Sequence, residues 1–415
     1  MKKSWIDVAP QSPFPIQNIP FGIYSTPSKT ARPGVAIGDK ILDLKGLFDL
    51  HLLTHLPFSS NDFNTCVLNT LMKHGKVQMA ELRNTIIELL DEKNDILRDH
   101  PQVKDVIDFQ TEATMHLPVQ IGDYTDFYSS EDHARNVGMM FRDPEKALLP
   151  NWKHLPVGYH GRSSSIVVSG TPIHRPYGQT NASDETLPSF QPSNQLDFEL
   201  EMAFITFDGK PMGQRISTAE AKDYIFGFVI FNDWSARDIQ RWEYVPLGPF
   251  LAKNFASTIS PWIVTLEALE EFHEQGPVQS PDVLPYLKYE GNFNINIDLK
   301  VSITPPNGAE TIVSESNYKY MYWNYAQQLA HHTVGGCNIR CGDMMASGTI
   351  SGPVAGSYGS MLEIAWKGTK PVPMKDGSER KFILDDDTVT MEAVSVGKQY
   401  NIGFGNCKGK VLASV

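Results

Sequence analysis

Tyr224, Ile225, Phe226, Gly227, Phe228, Val229, Ile230 and Phe231 form an unbroken apolar run that stops abruptly at Asn232-Asp233. The run is far shorter than the roughly 18 residues that suggest a membrane span, so it reads as a strand buried in a core. A chain of 415 residues supplies such a core, and at roughly 100–200 residues per domain it has room for two to three domains. Thirty-six Lys and Arg stand against 48 Asp and Glu, a formal charge of −12 that argues against a nucleic-acid partner. Four cysteines are too few for a disulfide framework and fit a reducing compartment. Met1-Lys2-Lys3-Ser4-Trp5 leads into Asp7 and prolines without the apolar stretch of a signal peptide, so a cytoplasmic location is expected. The sequon Asn181-Ala182-Ser183 is then a chance match.

Residues 20–45 alternate short apolar runs with turn residues, which predicts small antiparallel strands. From about Asp62 to Arg98 the period becomes helical, with Leu68, Leu71, Met72, Met79, Leu82, Ile86, Leu89 and Leu90 on one stripe. Proline enters at Met115-His116-Leu117-Pro118, which places a boundary between residues 1–117 and 118–415. Beyond it, residues 166–168, 198–207, 224–231, 295–303, 343–350, 361–366 and 389–396 are short and β-branched or aromatic, bounded by Gly, Pro, Asn or Asp. Helical spacing is confined to residues 130–141, the stretch after Asp233, and residues 325–332. The expectation is a mainly β (α+β) chain of packed sheets or a roll.

Asp197-Phe198-Glu199-Leu200-Glu201 alternates acid and apolar side chains, which on a strand points the three acids to one face. Taken alone, such a Glu-x-Glu pattern favours a solvated strand face over a site. Asn232-Asp233-Trp234-Ser235-Ala236-Arg237-Asp238 follows the buried run, and Arg237 and Gln240, three apart, share a helix face. Either the run delivers a carboxylate to a site, or Asp and Ser here only cap a helix. His133 follows Ser130-Glu131-Asp132, a helix start with an acidic first turn, in acid and aromatic company rather than on an apolar stripe. Pro156-Val157-Gly158-Tyr159-His160-Gly161-Arg162 is a loop or a turn. His331-His332 with Cys337 and Cys341 lacks zinc-ligand spacing, and no Walker loop, dinucleotide fingerprint or serine-hydrolase elbow occurs.

Segments 126–133, 156–165, 197–201, 231–240, 251–255, 347–352 and 360–366 together resemble the fumarylacetoacetate hydrolase family. Gly34-Val35-Ala36-Ile37-Gly38-Asp39 and Ile41-Leu42-Asp43-Leu44 extend the resemblance to the N-terminus, which separates the chain from shorter members that share only the catalytic domain. The resemblance implies a small SH3-like N-terminal barrel, a larger β-roll catalytic domain and a cytosolic homodimer. It implies that Asp126, Glu199, Glu201 and Asp233 ligate a divalent cation, Ca²⁺ or Mg²⁺. It makes His133 the general base, Glu363 its orienting carboxylate, and Arg237, Gln240 and Lys253 the groups that receive negative charge. Tyr128, Arg142, Tyr159, Tyr244 and Thr349 match substrate contacts. The resemblance breaks after Lys253-Asn254-Phe255, where Ala256-Ser257 replaces the family's Gly-Thr, so a second, structural cation site there stays open.

The implied activity is metal-dependent hydrolysis of the carbon–carbon bond of 4-fumarylacetoacetate to fumarate and acetoacetate, the last step of tyrosine and phenylalanine breakdown. Four carboxylates at about 4 Å would repel by roughly 1 to 4 kcal/mol per pair, so the set calls for a cation or for protonation. All-oxygen ligands fit a hard ion, and a small β-diketo acid would complete its shell. The rival readings are an acylpyruvate hydrolase, a related decarboxylase or hydratase, and a non-catalytic cation-binding module. The last leaves His133, Arg237, Gln240 and Lys253 without a role.

Overall fold

The computed structural model describes residues 2–181 and 187–415, so Ala182 and Ser183 of the sequon lie outside the described residues. The fold is mixed, with a curled β-sheet and few helices. An antiparallel five-stranded sheet near the N-terminus runs in the order Ile107–Phe109, Lys40–Asp43, Lys29–Ile37, Phe21–Thr26, Thr114–His116. The helix Gly75–Leu90 follows the predicted stripe and buries Met79, Leu82, Ile86, Leu89 and Leu90.

The larger sheet is ordered Gly158–Gly161, Tyr124–Phe127, Met344–Ala346, Leu200–Thr206, Ile225–Asp233, Ser257–Ile259, Ile166–Val168. Its central strand, Ile225–Asp233, is buried at every position. The two faces of that strand explain the unbroken apolar run. Phe226, Val229 and Phe231 pack with Phe21, Ile23, Leu82 and Ile86 of the N-terminal region in one cluster. Phe228 and Ile230 pack with Leu299, Val301, Met391 and Phe404 of a second five-stranded sheet. A strand covered on both sides favours apolar residues until its end, where Asn232 and Asp233, themselves buried, bring in the first polar side chains. The backbone also joins the parts, since Phe21 and Ile263 exchange N–H···O bonds of 3.0 and 2.8 Å.

Two segments depart from expectation. Residues 361–366 form a short helix, Met361–Ile364, rather than a strand. Ser360 and Glu363 stand at capping-box spacing, a helix-start signal that the apolar flanks mask. Residues 343–350 are strand only over Met344–Ala346. Gly348, at φ +76, turns the chain where a Cβ would meet the Phe127 carbonyl at 2.1 Å. The long strand Asn401–Leu412 alternates exposed and buried positions from Asn406 to Val411, and its Gly403 and Gly409 make room for Pro13 and Trp234.

Phe228 is fully buried and meets Phe204, Tyr318 and Tyr325 edge-on. Phe228→Ala is expected to lower stability by about 3–5 kcal/mol, read as a shifted midpoint in chemical denaturation.

Candidate active site

The large sheet gathers acids that are far apart in sequence. Asp126 lies on Tyr124–Phe127, opposite Ala346; Glu201 lies on Leu200–Thr206; Asp233 ends the central strand beside Ser257. Glu199 occupies the break between Leu196–Asp197 and Leu200–Thr206. One oxygen from each of Asp126, Glu199, Glu201 and Asp233 falls within 4.8 Å of the others, and all four residues are buried. The solvated-face reading of 197–201 is thereby excluded, because Asp197, Glu199 and Glu201 are all enclosed. Capping by Asp233 is excluded too. The helix Arg237–Glu243 starts from Ala236 without a side-chain cap, and the Asp233 carboxylate accepts from Lys253 and Ser257.

Cations enter the cluster from two short helices. Lys253, on Leu251–Asn254, donates to Glu199 and to Asp233 at 2.6 Å. Arg237 donates through Nε to Asp197 at 2.8 Å and through Nη1 to Glu199 at 2.8 Å and to Gln240 at 3.1 Å. These two cations do not balance five buried carboxylates. Among the described residues, Asp126 Oδ1 and Glu201 Oε1 are buried without a hydrogen-bond partner. Burial, reinforced by neighbouring carboxylates, pushes both acids well above the usual carboxylate range. Burial acts on Glu199 in the same sense, but the charges of Lys253 and Arg237 outweigh it and hold Glu199 low. Orphaned oxygens and surplus negative charge in an all-oxygen cage fit a hard divalent cation.

Beside the cage, Ser130 caps the helix Glu131–Phe141 by accepting from the His133 N–H at 3.1 Å. His133 Nδ1 lies 2.7 Å from Glu363 Oε2. A carboxylate can only accept, so the proton sits on Nδ1 and Nε2 is left as the basic nitrogen. Glu363 is itself held by Asn136, Ser351 and Ser360 at 2.8–2.9 Å. Burial would raise this carboxyl, yet His133 and the hydrogen bonds outweigh that and keep it below its usual range, hence ionised.

The other expected positions are less uniform. The Tyr128 ring meets His133 edge-on at 5.2 Å. Tyr159 places its hydroxyl 3.4 Å from Asp233, on the cage itself. Arg142 is exposed and donates from Nε and Nη2 to the Ala147 carbonyl. Tyr244, 52% exposed, closes the Arg237 helix, and Thr349 is buried in the turn after Gly348. Ser257 donates to Asp233 at 3.0 Å, so its hydroxyl already serves the main cluster. His331 and His332 bond Tyr286 and Thr125, and among the described residues they form no metal group with Cys337 or Cys341. Sequence reasoning missed the supports Asn136, Ser351 and Ser360. Asn136 stands three residues after His133 on the same helix face, a signal that was present.

An imidazole poised beside a carboxylate cage marks an enzyme, and the curled sheet that gathers the cage, with the helix that carries the imidazole, defines the class of fumarylacetoacetate hydrolase-type hydrolases. The solved fumarylacetoacetate hydrolase of psychrophilic Exiguobacterium antarcticum shares this fold, with a TM-score of 0.54 at 18% identity over 95% of this chain and 99% of its own. Two family models match, Fumarylacetoacetase N-terminal over residues 17–118 and Fumarylacetoacetate (FAA) hydrolase C-terminal over residues 123–412. The fumarylacetoacetase of Dictyostelium discoideum is 53% identical over 417 residues, covering 99% of this chain and 98% of that one. That of Homo sapiens is 50% identical over 417 residues, covering 99% of each. The chain belongs to the fumarylacetoacetase family.

Glu201→Gln removes one uncompensated buried carboxylate. The variant is expected to melt higher than the parent in chelator, while the parent's gain of about 2.7 kcal/mol at a divalent concentration 100 times its Kd is mostly lost. Calorimetry with and without the ion reads both effects.

Proposed function

We propose that the chain hydrolyses the carbon–carbon bond of 4-fumarylacetoacetate, releasing fumarate and acetoacetate. Relatives of about half-identical sequence over the full length bear the name of this activity. The observation that carries the reading is the buried His133–Glu363 pair, a base with its orienting acid set against a cation cage.

His133 Nε2 takes a proton from water, and the hydroxide forms the new bond to the carbonyl carbon on the fumaryl side. The resulting oxyanion meets donors from Arg237, Gln240 and Lys253; Arg237 Nη2, buried and without a partner among the described residues, is free to serve it. Collapse of the oxyanion breaks the carbon–carbon bond, and the electron pair leaves with the acetoacetate fragment as an enolate. His133 then returns its proton to that fragment's carbon. Asp126, Glu199, Glu201 and Asp233 would hold the divalent cation, calcium or magnesium, which when bound supplies electrophilic stabilisation of the enolate charge. Tyr128, Arg142, Tyr159, Tyr244 and Thr349 serve as substrate contacts, with Arg142 exchanging the Ala147 carbonyl for a substrate carboxylate. A cation-binding module without turnover has no use for the four groups that hold Glu363.

We assign residues 1–117 to a small SH3-like barrel unit and 118–415 to a catalytic β-roll, acting as a cytosolic homodimer. The five-stranded N-terminal sheet supports the first assignment. Exposed Val245, Leu247 and Phe250, next to the Arg237 helix, offer apolar surface for the dimer. Among the described residues no helix is long and apolar enough to cross a membrane.

Loss of the substrate's β-diketone absorbance tests the reading. Turnover is expected with divalent ion and absent after chelation. His133→Ala is expected to lower kcat by about 10²–10⁴-fold, and parental turnover in that variant would refute the base assignment. Arg142→Ala is expected to raise KM, and an unchanged KM and kcat/KM would remove Arg142 from substrate binding.

A further inference from the structure

Asp197 belongs to neither the cage nor the imidazole pair, yet it touches the supports of both. Its side chain is wholly buried. Oδ2 accepts from Arg237 Nε at 2.8 Å and from the Leu362 N–H at 3.0 Å, while Oδ1 accepts from the Met361 N–H at 2.7 Å. The backbone brings these groups together. Leu196–Asp197 pairs antiparallel with Ser235–Ala236, which sets Asp197 opposite Ser235, two residues before Arg237.

The helix Met361–Ile364 exposes free N–H groups in its first turn, and a residue such as Ser360 ordinarily satisfies them with its hydroxyl. Here the Ser360 hydroxyl goes to Glu363 instead, at 2.8 Å. Asp197 supplies the missing acceptor from a remote strand, and so releases Ser360 to hold the acid that orients His133. On its other side, Asp197 fixes the guanidinium by Nε. With Nη1 committed to Glu199 and Gln240, the buried Nη2 is the donor left without a partner among the described residues. We infer that Asp197 is a positioning residue that sets the base side and the charge-receiving side of the site through one carboxylate, an inference that rests on the roles proposed above for Glu363 and Arg237.

An Asn at this position keeps the shape but must turn an amide N–H toward either the Met361 N–H or the Arg237 and Leu362 donors. The test is steady-state turnover of fumarylacetoacetate by the full chain with divalent ion. The proteins compared are Asp197→Asn, Arg237→Gln, Glu363→Gln and the Asp197→Asn/Arg237→Gln double variant, each checked for folding by circular dichroism. For Asp197→Asn, kcat is expected to fall about 10–100-fold with KM within about threefold of the parent. In the Arg237→Gln background the same change is expected to cost clearly less than it does alone, because part of its effect passes through Arg237. Parental kcat in folded Asp197→Asn, or losses that multiply fully in the double variant, would overturn the inference. Arg237→Gln and Glu363→Gln both turning over like the parent would instead sink the mechanistic reading beneath it. Should Asp197→Asn not fold, Asp197→Ser is judged by the same criteria. Failure of both to fold would make Asp197 a residue of the fold alone and overturn the inference.

Discussion

The structure turns on negative charge concentrated where a buried strand ends. Asp126, Glu199, Glu201 and Asp233 are drawn together by sheet register, in surroundings that deprive them of water. Carboxylates so placed persist only if cations or protons answer them. Lys253 and Arg237 supply part of that answer, and the unpartnered oxygens of Asp126 and Glu201 show that it is incomplete. The capacity to hold a metal ion is a consequence of how the sheet is assembled.

The neighbouring polar groups follow from the same arrangement. Arg237 is held among Asp197, Glu199 and Gln240, while Glu363 is held among His133, Asn136, Ser351 and Ser360. A buried network of this kind is rigid when its members are satisfied, and rigidity aims Nε2 of His133 and Nη2 of Arg237. The central strand makes that possible by packing one face on the N-terminal region and the other on the second sheet. The N-terminal region therefore contributes to the platform of a site to which it lends no side chain.

Much of the site is legible in the sequence, though for different reasons. The run 224–231 announced a doubly covered strand by composition alone, because any solvated face would have demanded polar residues. Ser130-Glu131-Asp132 announced the helix that carries His133, because caps are local chemistry. The choice of Asp126, Glu199, Glu201 and Asp233 came from family resemblance, not from spacing, which left a solvated strand face open. Asp197 stood in the same acidic stretch, and nothing local distinguished an acid that binds Arg237 and caps a distant helix from one that joins the cage. Residues 361–366 misled because apolar side chains flank a helix whose first N–H groups are satisfied from far away.

The amino-acid sequence by itself determined where chain must be buried, where helices can start and which residue types carry charge, since these depend on near neighbours and on the need to remove apolar surface from water. The tertiary structure alone decided which acids share a cage, which cation each one meets and which hydroxyl is free to hold Glu363. Those are contacts between residues as far apart as Asp197 and Met361, and the meeting of a strand end with a distant helix start, not local preference, brings them within 2.7 Å.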